Sequence, residues 1–277
     1  MMFGSHVSIR DGYLGAAKRA KELHAQTFQY FTKNPRSLSI KDFDMSDAEL
    51  CKEYCTEQQL VSISHSPYPT NLTPKTDEED SVVHSLLNDL EISETCGSIG
   101  VVVHFGKESI KENPIASYEL MIAILNKVLT RWDGSCKILL ENNAGLPGTM
   151  GTTLEELTQI AKLSDYPEKI GFCLDTCHAF ASGLWNGDNW EDVEEKGEEL
   201  NFFKKLEAVH LNNSKYPTGE GKDRHANIFK GGYIKINQWK SLIKSSQLQG
   251  VPFILETPDD MGINHKQEIN QLYTTLG

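Results

Sequence analysis

No uninterrupted apolar run of about 18 residues occurs in this 277-residue sequence, so we expect no helix that spans a membrane. Residues 1–6 carry neither a basic nor an apolar segment, and a secretory signal is therefore not expected. No low-complexity tract, charge block or long Pro/Gly/Ser linker marks a domain boundary. We predict that residues 1–277 form a single domain of a cytoplasmic protein without a membrane partner.

Cysteine is scarce, and basic residues are outnumbered by acidic ones. The six cysteines could form three disulfides, but a chain with a large core and no export signal does not need them, so reduced thiols are expected. The 27 Lys and Arg against 39 Asp and Glu give a formal net charge of −12. This balance argues against a protein that holds nucleic acid by its overall charge alone, but it allows an enzyme with a local cationic site.

Short apolar runs alternate with longer amphipathic stretches along the whole chain. Several runs, such as 101–103 and 138–140, are apolar at consecutive positions, which is typical of parallel strands buried on both faces. Eight strands and about eight helices predict an α/β fold, a single (β/α)₈ or TIM barrel. A doubly wound open sheet is the alternative, weakened because no Gly-x-Gly-x-x-Gly follows the first run. The predicted strands are 3–8, 27–32, 61–66, 99–104, 138–142, 170–175, 206–211 and 252–256.

Two helix starts carry the pattern of a capping box, in which a hydroxyl and a carboxylate each accept a free backbone N–H. These are Ser46 with Glu49, and Thr153 with Glu156. We also expect His24, His84 and His265 to be surface residues within helices.

Ionisable side chains lie at or just beyond the ends of six successive predicted strands. Buried charge requires a partner or a metal, and in a barrel the carboxyl ends of the strands meet at one mouth, where active sites lie. Imidazole and carboxylate are ligands of catalytic zinc, iron or manganese, and clustered ions serve phosphate-ester hydrolysis. We therefore predict two or three metal ions at the C-terminal mouth. The nine predicted ligands are His65, His104, Glu141, Asp175, His178, His210, Asp223, His225 and Glu256.

Several segments resemble the endonuclease IV family of apurinic/apyrimidinic (AP) endonucleases. The most specific is CLDTCHAFASG at 173–183. Further matches, in the family's order over nearly the whole chain, are GSHVS at 4–8, EN at 141–142 with AG at 144–145, HLN at 210–212 with SK at 214–215, DRH at 223–225 and LETP at 255–258.

The resemblance implies a (β/α)₈ barrel that holds three zinc ions, with Mn²⁺ or Fe²⁺ as alternatives at one position. Glu141 and Glu256 are implied as catalytic residues. His65 and His104 would bind the first zinc, which Glu141 bridges to the second; Asp175, His210 and Glu256 would complete the second, and His178, Asp223 and His225 would hold the third.

The resemblance also implies an activity and a partner. The family hydrolyses the phosphodiester 5′ to an abasic site, leaving a 3′-hydroxyl and a 5′-deoxyribose phosphate, and it also trims blocked 3′ ends. The expected partner is double-stranded DNA with such lesions, and the expected state is a monomer. Arg36 and Tyr68 match the two residues that the family inserts into the minor groove. Other expected DNA contacts are His6, Asn71, Lys107, Lys215 and Arg224.

Four features depart from the family's pattern. Phe105 replaces the proline of His-Pro-Gly, Asn143 replaces a threonine, Asn213 replaces an aspartate, and the loop 226–232 is one residue longer. These changes bear on substrate grip and turnover rather than on the metal site.

Two other functions remain open at the level of sequence. One is a sugar isomerase or epimerase on the same barrel, which would use one or two ions; the other is a non-catalytic protein that recognises damaged DNA or stores zinc. If DNA is the partner, we expect a cationic mouth on an acidic outer wall. The cations predicted around the mouth are Lys33, Arg36, Lys107, Lys215, Lys222, Arg224 and Lys230.

Overall fold

The computed structural model describes residues 1–107, 113–259 and 262–276. In these residues eight strands pair in parallel and close into a barrel through the pairing of the first strand with the last. The predicted TIM barrel is confirmed, and the alternative of an open doubly wound sheet is wrong. The barrel strands are β1 (Met2–His6), β2 (Thr27–Phe31), β3 (Val61–His65), β4 (Gly100–His104), β5 (Lys137–Glu141), β6 (Ile170–Asp175), β7 (Leu206–His210) and β10 (Pro252–Leu255).

Helices connect the strands and cover the outside of the barrel. The helices in the described part of the chain are α1 (Gly12–Glu22), α2 (Met45–Gln58), α3 (Glu79–Thr95), α4 (Pro114–Leu129), α5 (Leu154–Leu163), α6 (Thr176–Ser182), α7 (Trp190–Glu199), α8 (Ile236–Ile243) and α9 (His265–Thr275). Short 3₁₀ helices lie at Pro167–Lys169, Phe203–Lys205 and Ser246–Leu248. A small antiparallel pair, β8 (Asn213–Ser214) with β9 (His225–Ala226), was not predicted. None of the described helices is long and apolar enough to cross a membrane.

One of the two predicted capping boxes is present. Thr153 caps α5, with its side chain accepting from the N–H of Glu156 and the Glu156 carboxylate accepting in return. The other prediction is wrong, because α2 begins one residue before Ser46 and its N-cap is Asp44, whose carboxylate accepts from the N–H of Asp47. An aspartate is as good a cap as serine, and here it comes first along the chain.

The core has two layers. A large outer layer fills the space between the strands and the helices. A small inner layer fills the barrel, with one residue each from β3, β4, β5, β6, β7 and β10: Ile63, Val102, Leu139, Cys173, Ala208 and Ile254. The strands are thus buried on both faces, which is why they read as continuous apolar runs.

Candidate metal centre

Six of the nine predicted ligands lie two residues beyond an inner-layer residue. Side chains alternate between the two faces of a strand, so residues two apart point to the same side. Each ligand therefore continues its strand's inner face at the C-terminal mouth of the barrel. The pairs are Ile63 and His65, Val102 and His104, Leu139 and Glu141, Cys173 and Asp175, Ala208 and His210, and Ile254 and Glu256.

The remaining three predicted ligands come from the segments that follow β6 and β7. α6 starts directly after β6, and its N-cap, Asp175, accepts from the backbone N–H of His178 at 2.7 Å. The β8–β9 hairpin carries His225, and Asp223 precedes it by two residues. All three side chains therefore reach the same mouth.

The ligand atoms form three groups, in each of which all the atoms lie within 4.8 Å of one another. Glu141 belongs to the first two groups and so joins them. A further set of Asp175, Cys177 and His225 also meets this distance, although burial raises the pKa of the Cys177 thiol and so disfavours a thiolate. The first group is His65, His104 and Glu141; the second group is Glu141, Asp175, His210 and Glu256; the third group is His178, Asp223 and His225.

The electrostatics of the three groups favour added positive charge. Burial opposes protonation of His178, but Asp175 and Asp223 raise its pKa well above the usual value. Burial also opposes protonation of His225, whose pKa is nevertheless raised to about 9 by Asp223 and Asp175. Burial disfavours ionised Glu141 too, yet the surrounding imidazoles hold its pKa well below the usual range. The carboxylates of this cluster therefore attract positive charge, which can come from protonated imidazoles or from a metal ion.

Three imidazole rings are oriented by backbone carbonyls. A carbonyl only accepts, so the nitrogen facing it carries the proton, and in the neutral ring the other nitrogen offers a lone pair. In each ring Nδ1 faces the carbonyl and Nε2 is left for the cluster, as is usual for metal-binding histidine. His65 Nδ1 lies 2.7 Å from Ser66 O, His178 Nδ1 lies 2.8 Å from Asn142 O, and His225 Nδ1 lies 3.3 Å from Glu256 O.

Two buried atoms of the cluster have no hydrogen-bond partner among the described residues, namely Glu141 Oε2 and His225 Nε2. Glu141 Oε2 lies 3.6 Å from His65 Nε2 and 3.2 Å from His104 Nε2. Buried polar atoms are normally paired, and unpaired oxygen and nitrogen atoms facing each other across such distances suit a shared cation. The residues fit a metal centre; that the nine side chains are its ligands stays a prediction.

Two buried asparagines hold the carboxylates in place. Asn142 Oδ1 accepts from the N–H of Asp175 at 2.7 Å, and its Nδ2 donates to the Asp175 carbonyl at 3.0 Å. Asn212 Nδ2 donates to Asp175 Oδ2 at 2.7 Å, and its Oδ1 accepts from the N–H of Glu256 at 2.9 Å. Asn142 lies one residue beyond β5 and Asn212 lies two residues beyond β7. Their amides therefore help to hold Asp175 and Glu256, two residues of the second group, in position.

The sequence analysis missed Gln29, which is fully buried in β2. Its side chain hydrogen-bonds both His210 and Glu256. The ligands were predicted from two properties, an ionisable side chain and a place at a strand end. Gln29 has neither, because it is an amide in the middle of β2. The available signal was an amide in the middle of the run TFQYF, where every other position is apolar or a threonine at the strand's start.

Arg36 and Tyr68 are exposed side by side at the rim of the mouth. The backbone N–H of Tyr68 donates to the carbonyl of Pro35 at 2.9 Å, which ties the two loops together. The Tyr68 ring lies 5.1 Å from the ring of Phe31 and lines, with seven of the nine predicted ligands, a cavity of about 520 Å³.

The other predicted DNA contacts are placed as follows. His6 is partly buried and lines the mouth cavity. Lys107, Lys215 and Arg224 are exposed, and the Lys215 N–H donates to the Arg224 carbonyl across the β8–β9 hairpin at 2.9 Å. The side chain of Asn71 hydrogen-bonds the backbone two residues further on, so it shapes its own loop.

Lys33 does not belong to the exposed cations of the mouth, so this part of the prediction is wrong. It is buried, and its Nζ lies 3.0 Å from Asp89 Oδ1 and 2.8 Å from the carbonyl of Ser85. The reason is that α3 packs behind the end of β2 and presents a buried carboxylate there, which requires a cation.

Two of the three histidines assigned to helix surfaces are placed differently. His265 starts α9, is only partly exposed and lines the mouth cavity, with Nε2 at 2.9 Å from Thr257 O. His24 is exposed but lies beyond the end of α1, with a positive φ of 63°. His84 is exposed on α3, as predicted.

Comparison with known proteins decides the family. A family model described as xylose isomerase-like TIM barrel matches residues 17–274. A probable endonuclease 4 from Symbiobacterium thermophilum is 40% identical over 259 residues, which is 93% of each chain. The chain belongs to the endonuclease IV family.

Solved structures agree with this assignment. Endonuclease IV from Thermus thermophilus superimposes with a TM-score of 0.85 at 27% identity, covering 99% of this chain and 97% of that one. A D-tagatose 3-epimerase-like protein superimposes with a TM-score of 0.70 at 20% identity, covering 100% of this chain and 97% of that one. At that identity the second likeness shows a shared fold and nothing more.

Phe105 and Asn143, two of the predicted departures from the family's pattern, are in contact where two loops meet. Asn143 Nδ2 donates to the carbonyls of Phe105 at 3.0 Å and Met150 at 2.7 Å. Gly151 has a φ of 79°, and a Cβ there would lie 2.3 Å from Phe105 Cγ. The Phe105 ring therefore occupies the space that a side chain at position 151 would need, and the amide of Asn143 joins the two loops.

Asn213, a further predicted departure from the family's pattern, hydrogen-bonds both ends of the loop that runs from Ile228 to Ile234. Its Nδ2 donates to the carbonyls of Ile228 and Ile234, each at 3.1 Å, and its Oδ1 accepts from the N–H of Ile234 at 2.9 Å. Gly232 packs against it so closely that a Cβ would lie 2.1 Å from Asn213 Cγ. An ionised aspartate could not donate to either carbonyl, so the amide suits this loop.

Proposed function

We propose that this chain is an AP endonuclease that hydrolyses the phosphodiester 5′ to an abasic site in double-stranded DNA. The products would be a 3′-hydroxyl and a 5′-deoxyribose phosphate, and the same site would trim blocked 3′ ends. The observation that carries this proposal is the presence of three adjoining ligand groups at one mouth. Family membership supports it, since the 40% identical relative is named probable endonuclease 4.

The proposed metal content is three zinc ions, one for each group, with Mn²⁺ or Fe²⁺ as alternatives at one position. Divalent ions held this way lower the pKa of a water and offset negative charge on a phosphate. Glu141, shared by the first and second groups, would hold the two sites in fixed relation, and Glu256 would complete the second group. A sugar isomerase or epimerase that uses one or two ions would not need the third group, so the presence of this group favours the nuclease.

The chain's own residues would recognise the lesion by shape. An abasic nucleotide has no stacked base, so turning it out of the helix costs little. Tyr68 and Arg36 stand exposed at the rim and would fill the gap that remains in the duplex. Behind them, His6 and seven of the nine predicted ligands line a cavity of about 520 Å³ that would take the sugar and its phosphate. Asn71, Lys107, Lys215 and Arg224 would contact the flanking backbone.

The test is incubation of the zinc-loaded protein with a duplex that carries one abasic-site analogue, with the undamaged duplex as control. We expect one incision 5′ to the analogue, a 3′-hydroxyl end, and three metal ions per chain by elemental analysis. An absence of incision by fully loaded protein, or a metal content well below three, contradicts the proposal. Binding without incision would favour a damage-recognition protein instead. We also propose that residues 1–277 act as one domain and as a monomer.

A further inference from the structure

Gln29 contacts three residues of the mouth with a single amide. Its Oε1 lies 2.7 Å from His210 Nε2, and its Nε2 donates to Glu256 Oε1 at 2.6 Å. The same Nε2 lies 3.1 Å from His6 Nδ1. The side chain is fully buried, so no water competes for these bonds.

The carboxylate of Glu256 fixes which way the Gln29 amide points. An ionised carboxylate only accepts hydrogen bonds, so the NH₂ group must face it and the carbonyl oxygen must face His210. His210 Nε2 then carries a proton, and in a neutral ring Nδ1 would be left to bind the metal ion of the second group. Nδ1 lies 2.8 Å from Glu141 Oε1 and 3.3 Å from Glu256 Oε2, contacts that need a positive charge between the atoms, which is a proton or the proposed metal ion.

His210 differs from three of the other four histidine rings of the cluster in what orients it. The rings of His65, His178 and His225 each face a backbone carbonyl, which no substitution removes. At His210 the carbonyl belongs to a side chain. The orientation of this one ring therefore depends on the identity of residue 29, because only an amide combines an acceptor with two donors.

We propose that Gln29 is a positioning residue for the second group: it sets the proton of the His210 ring, holds Glu256, and links both to His6. The inference rests on the proposed metal centre. The second N–H of the amide points to His6 Nδ1, which leaves Nε2–H as the donor of a neutral His6 ring. Burial favours that neutral form, because it lowers the pKa of His6 to about 4.

The test compares Gln29→Met, which keeps the approximate size without the hydrogen bonds, with the matched control Thr27→Val. Thr27 lies on the same strand and the same inner face, is equally buried, and its hydroxyl has no hydrogen-bond partner among the described residues. Zinc-loaded proteins are mixed with a chelator to measure zinc loss, ¹⁵N spectra of the histidine rings report the protonated nitrogen, and incision gives kcat and KM.

We expect Gln29→Met to lose zinc about 10–100-fold faster than the wild type, to shift the Nε2–H signal of His210, which loses its acceptor, and to lower kcat more than it raises KM. Thr27→Val should match the wild type in all three. Gln29→Glu keeps an acceptor for His210 but no donor for Glu256, so it should keep the ring signal and still lose zinc faster.

A Gln29→Met protein with the zinc retention and ring signal of Thr27→Val overturns the inference. If Gln29→Met does not fold, wild-type zinc retention by Gln29→Glu overturns it equally. A wild-type protein that binds no zinc contradicts the proposed function itself, whatever residue 29 does.

Discussion

Single residues show how far strand ends can be interpreted chemically. His65, Glu141 and Asp175 could be predicted as ligands because a strand buried on both faces has no other use for an ionisable end. The orientation of each histidine ring could not be predicted, because it depends on carbonyls from other segments, such as Asn142 O beside His178. Contacts of that kind join residues far apart in the chain.

The first prediction concerns Glu256. Glu256→Gln removes the charge of the second group but keeps its shape, so we expect the incision rate to fall by about 10²–10³-fold while much of the DNA binding remains. Rates on an abasic duplex and gel-shift binding check this. Glu220→Gln, at an exposed carboxylate in a mouth loop, serves as the control. Full incision by Glu256→Gln would remove Glu256 from the proposed machinery.

The second prediction concerns Tyr68, whose side chain is 61% exposed. Tyr68→Ala should weaken binding to an abasic duplex by about 1–3 kcal/mol, the range found for aromatic stacking on nucleic acid. Tyr68→Phe keeps the ring and should bind almost as the wild type does. Metal content should stay the same in both, and a parallel loss of zinc in Tyr68→Ala would show a structural role instead.

At the scale of elements, α3 holds the segment that carries Arg36. Lys33 at one end is paired with Asp89, and the backbone of Lys41 at the other end bonds the side chain of Asn88 through both its N–H and its carbonyl. The segment between them has no regular structure of its own. Its shape therefore depends on a helix that comes more than 35 residues later in the sequence, which is why Lys33 was wrongly counted among the cations of the mouth.

The third prediction concerns the buried pair of Lys33 and Asp89. Lys33→Met leaves the carboxylate without its cation and should lower the free energy of unfolding by about 3–5 kcal/mol. Urea unfolding measures this, with Lys18→Met on exposed α1 as the control. A decrease of less than about 1 kcal/mol in the free energy of unfolding is typical of a surface ion pair, and it would contradict a buried pair of Lys33 and Asp89.

The same pair predicts a pH dependence. Burial raises the pKa of Asp89 to about 6 despite Lys33, above the value of about 3.9 in an unfolded chain. The native state thus holds the proton more tightly, and this contribution to stability is lost as the pH rises through 6. The difference in unfolding free energy between the wild type and Asp89→Asn should shrink from about pH 4 to pH 7, by about 3 kcal/mol at most. A difference in unfolding free energy that grows as the pH rises would contradict this prediction.

At the scale of the whole molecule, we predict a cationic mouth on an acidic outer wall. With Lys33 excluded, the remaining six predicted cations are all exposed. Helix α7 on the outer wall exposes acidic side chains along its length. Three zinc ions would add six positive charges at the mouth, so the net −12 of the chain would not oppose a DNA backbone there. The six cations are Arg36, Lys107, Lys215, Lys222, Arg224 and Lys230.

The fifth prediction, after the pH dependence, is the salt dependence of DNA binding. Because these cations would contact phosphates, a rise in salt from about 50 to 200 mM should lower the binding constant for DNA by about 10³-fold. Lys215→Ala should reduce the slope of log K against log salt by about 1. Lys127→Ala, on the outer wall, should leave the slope unchanged. Equal effects of the two substitutions would contradict a cationic mouth.

The sequence alone determined the barrel and its ligand candidates, because both follow from local pattern: apolar runs, their alternation with amphipathic segments, and an ionisable residue in phase with the inner face. Tertiary structure decided what depends on contacts between distant segments. It gathered the nine side chains into three groups, two of which share Glu141, and it placed Gln29 against His210, 181 positions along the chain. It also buried Lys33 against α3. Those arrangements arise only when the barrel closes, since closure brings the ends of all eight strands to one mouth.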